Sequence, residues 1–181
     1  MYHMPPPHRP PHHPHHSHMP PHHAHRQPPV HPLPHAPEKD FGPFPFVVNI
    51  EKATVQNPYY RRVLWTGEHL QVTLMNIPPG QDIGLERHPH TDQFLRIEHG
   101  EAMVLMGAQE HHLDFRQPAF DGYAIVVPAG TWHNVVNTGT QPLQLYSVYA
   151  PPNHAAGVVH TTKEMAEQME RQGEDTPPMY V

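Results

Sequence analysis

The chain contains no cysteine among its 181 residues. This absence excludes disulfide bonds and thiolate metal sites, so any bound metal must be held by imidazole, carboxylate, amide or thioether groups. Positive charge is also scarce, because 11 lysines and arginines oppose 17 acidic residues and give a net charge of −6 with neutral histidines. The sequence therefore lacks the basic surface of a nucleic-acid-binding protein, and we expect no nucleic-acid partner.

Long apolar runs are missing as well. Transmembrane helices need about 18 or more consecutive apolar residues, and the sequence has no such run, so we expect no membrane span. The N-terminus also has no apolar segment of the secretory-signal type. We therefore expect no secretory signal, and a location in the cytoplasm or associated with a spore or cell surface.

Proline and histidine are in excess, with 26 and 21 residues. Residues 1–36 hold 12 of each, with only Arg9 and Arg26 as permanent charges and almost no aliphatic side chains. Such a segment cannot bury enough apolar surface to offset the entropy of ordering, and its prolines disfavour helix and sheet. We predict a disordered His/Pro-rich tail over 1–37 and one folded domain over 38–181.

The tail suggests metal binding in two ways. Clustered imidazoles bind Zn, Ni or Cu weakly and in many arrangements. A free terminal amine, two backbone amides and the imidazole of His3 would also suit the square-planar geometry of Cu(II) or Ni(II). The plainer interpretation is that His3 has no specific role, since one tail residue in three is histidine.

After the tail, short β-forming segments alternate with Pro, Gly and Asn turns, a pattern typical of a sandwich or barrel. The predicted strands are Phe46–Ile50, Arg61–Trp65, Leu70–Ile77, Gly84–His88, Gln93–Glu98, Ala102–Met106, Ala124–Val127, Trp132–Asn137 and Leu143–Tyr149. A C-terminal helix is predicted at about 162–172, with Thr161 as its N-cap, Glu164 in its first turn and Gly173 at its end.

Two runs of sequence carry residues suited to chemistry. Glu86 and His88 are two residues apart, so on a strand they share one face, and Gln93 can return to the same space after a turn. His133 adds a further imidazole just after a tight Pro/Gly turn.

These runs resemble the two motifs of the cupin superfamily. The first motif is matched in spacing by Gly80, Glu86, His88, Gln93 and Gly100. The second is matched at every defined position by Gly122, Pro128, Gly130, His133 and Asn137. The resemblance implies an all-β double-stranded β-helix (cupin, or jelly-roll) barrel with its core at about 60–152. It also implies one divalent metal ion in the bore and a homodimer.

The sequence departs from the family motif at two ligand positions. Glu86 replaces the usual first His and Gln93 replaces the usual Glu, so one carboxylate is gained and one is lost. The set of Glu86, His88, Gln93 and His133 keeps one negative charge and suits Fe, Mn, Ni, Cu or Zn. In a competing register His90 would replace Glu86, but Gly80 and Gln93 then fall out of step.

The motifs favour a metalloenzyme of oxygenase or isomerase type acting on a small-molecule substrate. Gln93 is a weak neutral ligand that could open a coordination position, and in an isomerase Glu86 or His90 would be the candidate base. The alternative is a non-catalytic metal-binding or structural protein, of surface or spore-coat type, that uses the His-rich tail.

Sequence alone gives little information about the rest of the bore. No basic residue is an obvious partner for a phosphate group, although Arg61, Arg62 and Arg87 cannot be placed from sequence. His154 and His160 follow the last predicted strand, where they could cap the mouth of the barrel, but the plainer expectation is that they are ordinary loop residues.

Overall fold

The computed structural model describes residues 40–177. The tail predicted over 1–37 lies outside the described residues. Within the described range the elements are α1 (Ile50–Val55), β1 (Arg61–Thr66), β2 (Gln71–Ile77), β3 (Asp92–His99), β4 (Glu101–Gly107), β5 (Phe115–Phe120), β6 (Ala124–Val127), β7 (Trp132–Asn137), β8 (Leu143–Ala150), β9 (Val159–His160) and α2 (Lys163–Gln172).

The strands form two antiparallel sheets. The larger has six strands in the order β6-β3-β8-β2-β1-β9, and the smaller has three in the order β5-β4-β7. The apolar core takes side chains from both sheets, including Leu95 and Leu145 from the larger and Val104 and Val135 from the smaller. The predicted all-β fold with a short C-terminal helix is therefore confirmed.

The interior changes from apolar to polar along the strands. On the buried face of β8, Leu143 and Leu145 are followed by Ser147 and Tyr149, all without solvent exposure. Gln93 of β3 lies directly opposite Tyr149 in the ladder. The apolar end supplies packing energy, and the polar end places unusual groups inside the protein, which sets the position of the candidate site.

The predicted strand Phe46–Ile50 is wrong. This segment lies outside both sheets, and its side chains pack with those of Leu64 and Leu74 in a second cluster of buried residues. Helix α1 begins at Ile50 because the side chain of Asn49 accepts a hydrogen bond from the amide of Lys52 and caps its first turn.

The predicted strand Gly84–His88 is also wrong, because only an isolated bridge forms there, between Glu86 and His133. The helix cap is one residue later than predicted: Thr162, not Thr161, accepts a hydrogen bond from the amide of Met165. Gly173 ends α2 as expected, with a φ of 71° that glycine adopts without strain. No helix within residues 40–177 is long and apolar enough to cross a membrane.

Candidate metal centre

Glu86 and His133 are held side by side by the backbone. The amide of Glu86 donates to the carbonyl of His133 and the amide of His133 donates to the carbonyl of Glu86, both at 3.0 Å. Two residues that exchange both hydrogen bonds project their side chains from the same face of a sheet. The carbonyl of His88 accepts a hydrogen bond from the amide of Gly130 at 2.8 Å, which fixes His88 beside the same turn.

Three side-chain atoms converge at this point. Oε1 of Glu86 lies 3.3 Å from Nε2 of His88 and 3.3 Å from Nε2 of His133. All three atoms are buried, and none has a hydrogen-bond partner. Buried polar atoms in proteins are almost always satisfied, so three adjacent exceptions indicate a site for a bound cation or proton.

The tautomer of His133 follows from its contact with the backbone. Its Nδ1 lies 3.0 Å from the carbonyl oxygen of Thr131, which can only accept a hydrogen bond, so Nδ1 carries the proton. In a neutral imidazole the lone pair is then on Nε2, which faces a carboxylate oxygen of Glu86. Two lone pairs at this distance repel each other unless a positive charge lies between them. A backbone carbonyl behind the imidazole is also the usual partner of a metal-binding histidine.

Glu86 is ionised and suited to bind a cation. Burial raises its pKa, but a proton shared with the imidazoles of His133 and His88 and the charge of Arg61 outweigh burial and hold that pKa well below its ordinary value. The guanidinium of Arg61 approaches the other carboxylate oxygen, with Nη2 3.9 Å from Oε2. The side chain of Glu86 is 18% exposed, so the site connects with solvent at this residue.

Gln93 lies on β3 and is 2% exposed. Its amide nitrogen donates to Oγ of Ser147 at 3.0 Å, and its Oε1 is buried without a partner. The atom left free is thus the oxygen, the only ligand atom that an amide side chain offers to a metal. His90, the ligand in the competing register, is exposed, and the atoms that converge with His88 and His133 belong to Glu86.

A second group of ionisable side chains lies behind Arg61. Nδ1 of His154 is 2.7 Å from Oδ2 of Asp175, and Nε2 of His160 is 3.7 Å from the same oxygen. Both histidines are buried, so the expectation of ordinary loop residues is wrong. Sequence reasoning missed this group because β9 and the residues after α2 reach β1 only through tertiary pairing, in which His160 lies opposite Arg61.

The buried charges favour a divalent cation. Burial and the charge of Arg61 lower the pKa of His154 and of His160, so both imidazoles are neutral near pH 7. The carboxylates of Glu86, Asp175 and Glu170 then face the single guanidinium of Arg61, which binds Glu170 at 2.7 Å. Two negative charges remain, and uncompensated charge in a protein interior is costly.

The donor atoms also fit a transition metal. Two imidazole nitrogens and one carboxylate oxygen are the set used by many Fe, Mn, Ni, Cu and Zn sites. Ligand atoms at about 2.0–2.2 Å from a shared ion lie roughly 3.0–3.5 Å apart in tetrahedral or octahedral geometry, and the measured separations of 3.3 Å fall in this range. The residues present therefore suit such an ion.

The sequence is similar to those of two curated proteins. It is 63% identical over 125 residues to the uncharacterized protein YrkC of Bacillus subtilis (strain 168), an alignment that covers 69% of this chain and 67% of YrkC. It is 44% identical over 115 residues to an uncharacterized protein of Acanthamoeba polyphaga mimivirus, covering 63% of this chain and 70% of that protein.

A solved structure and a family model also match the chain. The crystal structure of BH2720 from Bacillus halodurans is 61% identical, superposes with a TM-score of 0.71, and covers 71% of this chain and 98% of its own. Residues 73–149, which run from β2 to β8 and include Glu86, His88, Gln93 and His133, match the model of the cupin domain. The chain therefore belongs to the cupin family.

Proposed function

We propose that this protein is a metal-dependent enzyme that acts on a small organic molecule, with one divalent transition metal held by Glu86, His88, Gln93 and His133. The observation that carries the proposal is the convergence of three buried, unpartnered donor atoms, in which the lone pair of His133 faces an ionised carboxylate at 3.3 Å. An ion bound there supplies Lewis-acid or redox chemistry to substrate oxygens.

The side chains around the site support a reacting centre and not only a structural ion. Gln93 is held through its amide nitrogen alone, and its neutral oxygen would be a weak ligand that a substrate could replace. Tyr149 packs edge-on against the ring of His88, and its hydroxyl is buried. Burial raises the pKa of Tyr149, so the hydroxyl keeps its proton and serves as a donor to a substrate oxygen.

Two reaction types suit this arrangement, an oxygenation and an isomerisation by proton transfer. The two imidazoles with one carboxylate match the ligand set of non-haem Fe(II) oxygenases. In an isomerisation the base would be Glu86 or His90, and the exposure of His90 keeps it available from the solvent side.

The proposal is tested by loading the full chain with Fe, Mn, Ni, Cu or Zn and supplying small organic acids, alcohols and carbonyl compounds. An oxygenase consumes O₂ with substrate, and an isomerase exchanges substrate protons for deuterium in D₂O. We expect one of these signals in the wild type and its loss in His133→Ala. If no metal gives either signal with a broad substrate set, the enzyme proposal is wrong.

The second candidate function is non-catalytic metal binding or surface attachment through the tail, and it is favoured by the 12 histidines in residues 1–36. Under this alternative most of the metal capacity lies in the tail, whereas an enzyme keeps one ion in the barrel. The homodimer, the absence of a nucleic-acid partner and the cytoplasmic or surface location remain predictions.

A further inference from the structure

Arg61 is an unexpected neighbour for a metal site. Its side chain is 2% exposed and lies with its Nη2 3.9 Å from Oε2 of Glu86, the carboxylate proposed as a ligand. A guanidinium so close to the ligand sphere repels a metal cation and weakens its binding. Metal binding alone therefore does not explain why a buried arginine lies beside Glu86.

The hydrogen bonds of Arg61 are incomplete. Nη1 donates to Oε1 of Glu170 at 2.7 Å, while the contact of Nη2 with Glu86 is longer than a hydrogen bond. Nε is buried without a partner. The face of the Arg61 guanidinium toward Glu86 therefore keeps donor capacity that no described side chain uses, and unpaired buried donors are rare in proteins.

The charge at the site limits a bound anion to a single negative charge. Glu170 pairs with Arg61, and Asp175 accepts hydrogen bonds from His154 and from the amide of Ala155. With a divalent ion at the ligands, the charges of the ion and of Arg61 balance the carboxylates of Glu86, Asp175 and Glu170. A monoanion bound between the ion and Arg61 would satisfy the unused donors while adding only one negative charge to this balanced site, less than a dianion would add.

Resting on the function proposed above, we propose that Arg61 forms an anion subsite beside the metal and that the substrate is a small monocarboxylate. One charged oxygen of this substrate would lie between the ion and the Arg61 guanidinium, close to Oε2 of Glu86. Arg61 is then a binding residue that selects acids over uncharged alcohols or carbonyl compounds.

A phosphate dianion fits less well, because such groups usually need two or more cationic partners. Arg87 stacks over the ring of Trp132, and Arg96 pairs with Glu98. Lys163 pairs with Asp82. Among these cationic side chains and Arg61, only Arg61 contacts Glu86.

The test uses the full chain loaded with Co(II), whose visible absorption bands report a change of ligands. Bands present in the wild type and missing from His133→Ala belong to the barrel, so cobalt bound by the tail is subtracted. The probes are glycolate and its uncharged match, ethylene glycol. Arg62→Gln is the control variant, because it removes the same charge from the next residue of β1, on the opposite face of the strand.

We expect glycolate to shift the barrel bands at millimolar concentration and ethylene glycol to require at least tenfold more. Arg61→Gln should keep the barrel cobalt and bind glycolate at least tenfold more weakly, while Arg62→Gln should match the wild type. If Arg61→Gln loses its cobalt, Arg61→Lys, which retains the positive charge, should bind glycolate within about threefold of the wild type.

Three results would overturn the subsite. They are an unchanged glycolate affinity in cobalt-loaded Arg61→Gln, a tenfold loss in Arg61→Lys that retains cobalt, or a wild type that binds glycolate and ethylene glycol equally. A wild type without barrel bands would refute the metal centre itself and the subsite with it. Barrel bands that ignore glycolate would refute the subsite alone.

Discussion

Replacing Glu86 by glutamine keeps the size of the side chain and removes its charge. In the metal-free protein this change should cost little stability, because the new amide can donate a hydrogen bond to an imidazole lone pair, whereas the carboxylate needs a bound proton between itself and the imidazole. Oε1 of Glu86 lies 3.3 Å from Nε2 of both His88 and His133, so the new amide would be within reach of both. Arg61 keeps its shorter ion pair, with Glu170 at 2.7 Å.

The metal-bound protein should respond in the opposite way. Loss of a partner outside the ligand sphere costs roughly 10–100-fold in metal affinity, so loss of a ligand charge should cost at least about 100-fold. A 100-fold loss corresponds to about 2.7 kcal/mol of metal-dependent stabilisation. For a domain of this size roughly 2–4 °C of melting temperature accompanies each kcal/mol, so the increment due to metal should fall by roughly 5–10 °C.

The assay is thermal unfolding of the full chain with a chelator and then with excess Co(II) or Zn(II), for the wild type, Glu86→Gln and the double variant Glu86→Gln/Gln93→Glu. The double variant returns one carboxylate to the ligand set and should recover part of the increment. An increment in Glu86→Gln equal to that of the wild type would refute the reasoning, because Glu86 would then bind no metal.

Three further predictions concern the rest of the domain. Burial and a neighbouring guanidinium lower the pKa of His160 to about 4, so between pH 6.5 and 4 the unfolded chain takes up a proton that the folded protein does not. In urea denaturation the free energy of unfolding should therefore fall by at most about 3 kcal/mol as the pH falls across this window. The variant His160→Gln should remove this part of the pH dependence. Leu95 has no exposed surface, so Leu95→Ala should lower the free energy of unfolding by about 2–5 kcal/mol in the same assay, and a loss below 1 kcal/mol would contradict the assigned core. Gly100 has a φ of 100°, and an added Cβ would lie 2.9 Å from the carbonyl oxygen of Pro142, so Gly100→Ala should destabilise the protein by about 1–3 kcal/mol and by more than Gly122→Ala, where φ is 81° and nothing lies within 4 Å.

The sequence was informative where local pattern and turn chemistry agree. Seven predicted strands lie within a residue or two of observed ones, because alternating side chains and turn glycines are local signals. Strand β5 (Phe115–Phe120) was missed, since its residues are mostly exposed and include Pro118. The segment around Glu86 joins the smaller sheet only through isolated bridges to β7. These bridges depend on tertiary contact with β7, so the composition of the segment itself could not predict them.

The candidate site shows the same division. Motif spacing was sufficient to group Glu86, His88 and His133, whose donor atoms the structure brings together. Arg61 could not be placed, because its position depends on pairing with His160, almost one hundred residues later in the chain. Nothing in the local sequence around Arg61 distinguishes it from Arg62, the next residue of the same strand.

The central claim, a metal ion held in the barrel, is tested most directly by elemental analysis of the full chain beside Glu86→Ala and His133→Ala, purified identically without a histidine tag and washed with a weak chelator. The tail is the same in all three proteins, so their difference reports the barrel. We predict that the wild type carries about one equivalent more of Fe, Mn, Ni, Cu or Zn than either variant. Equal metal content in folded samples of all three proteins would contradict the account.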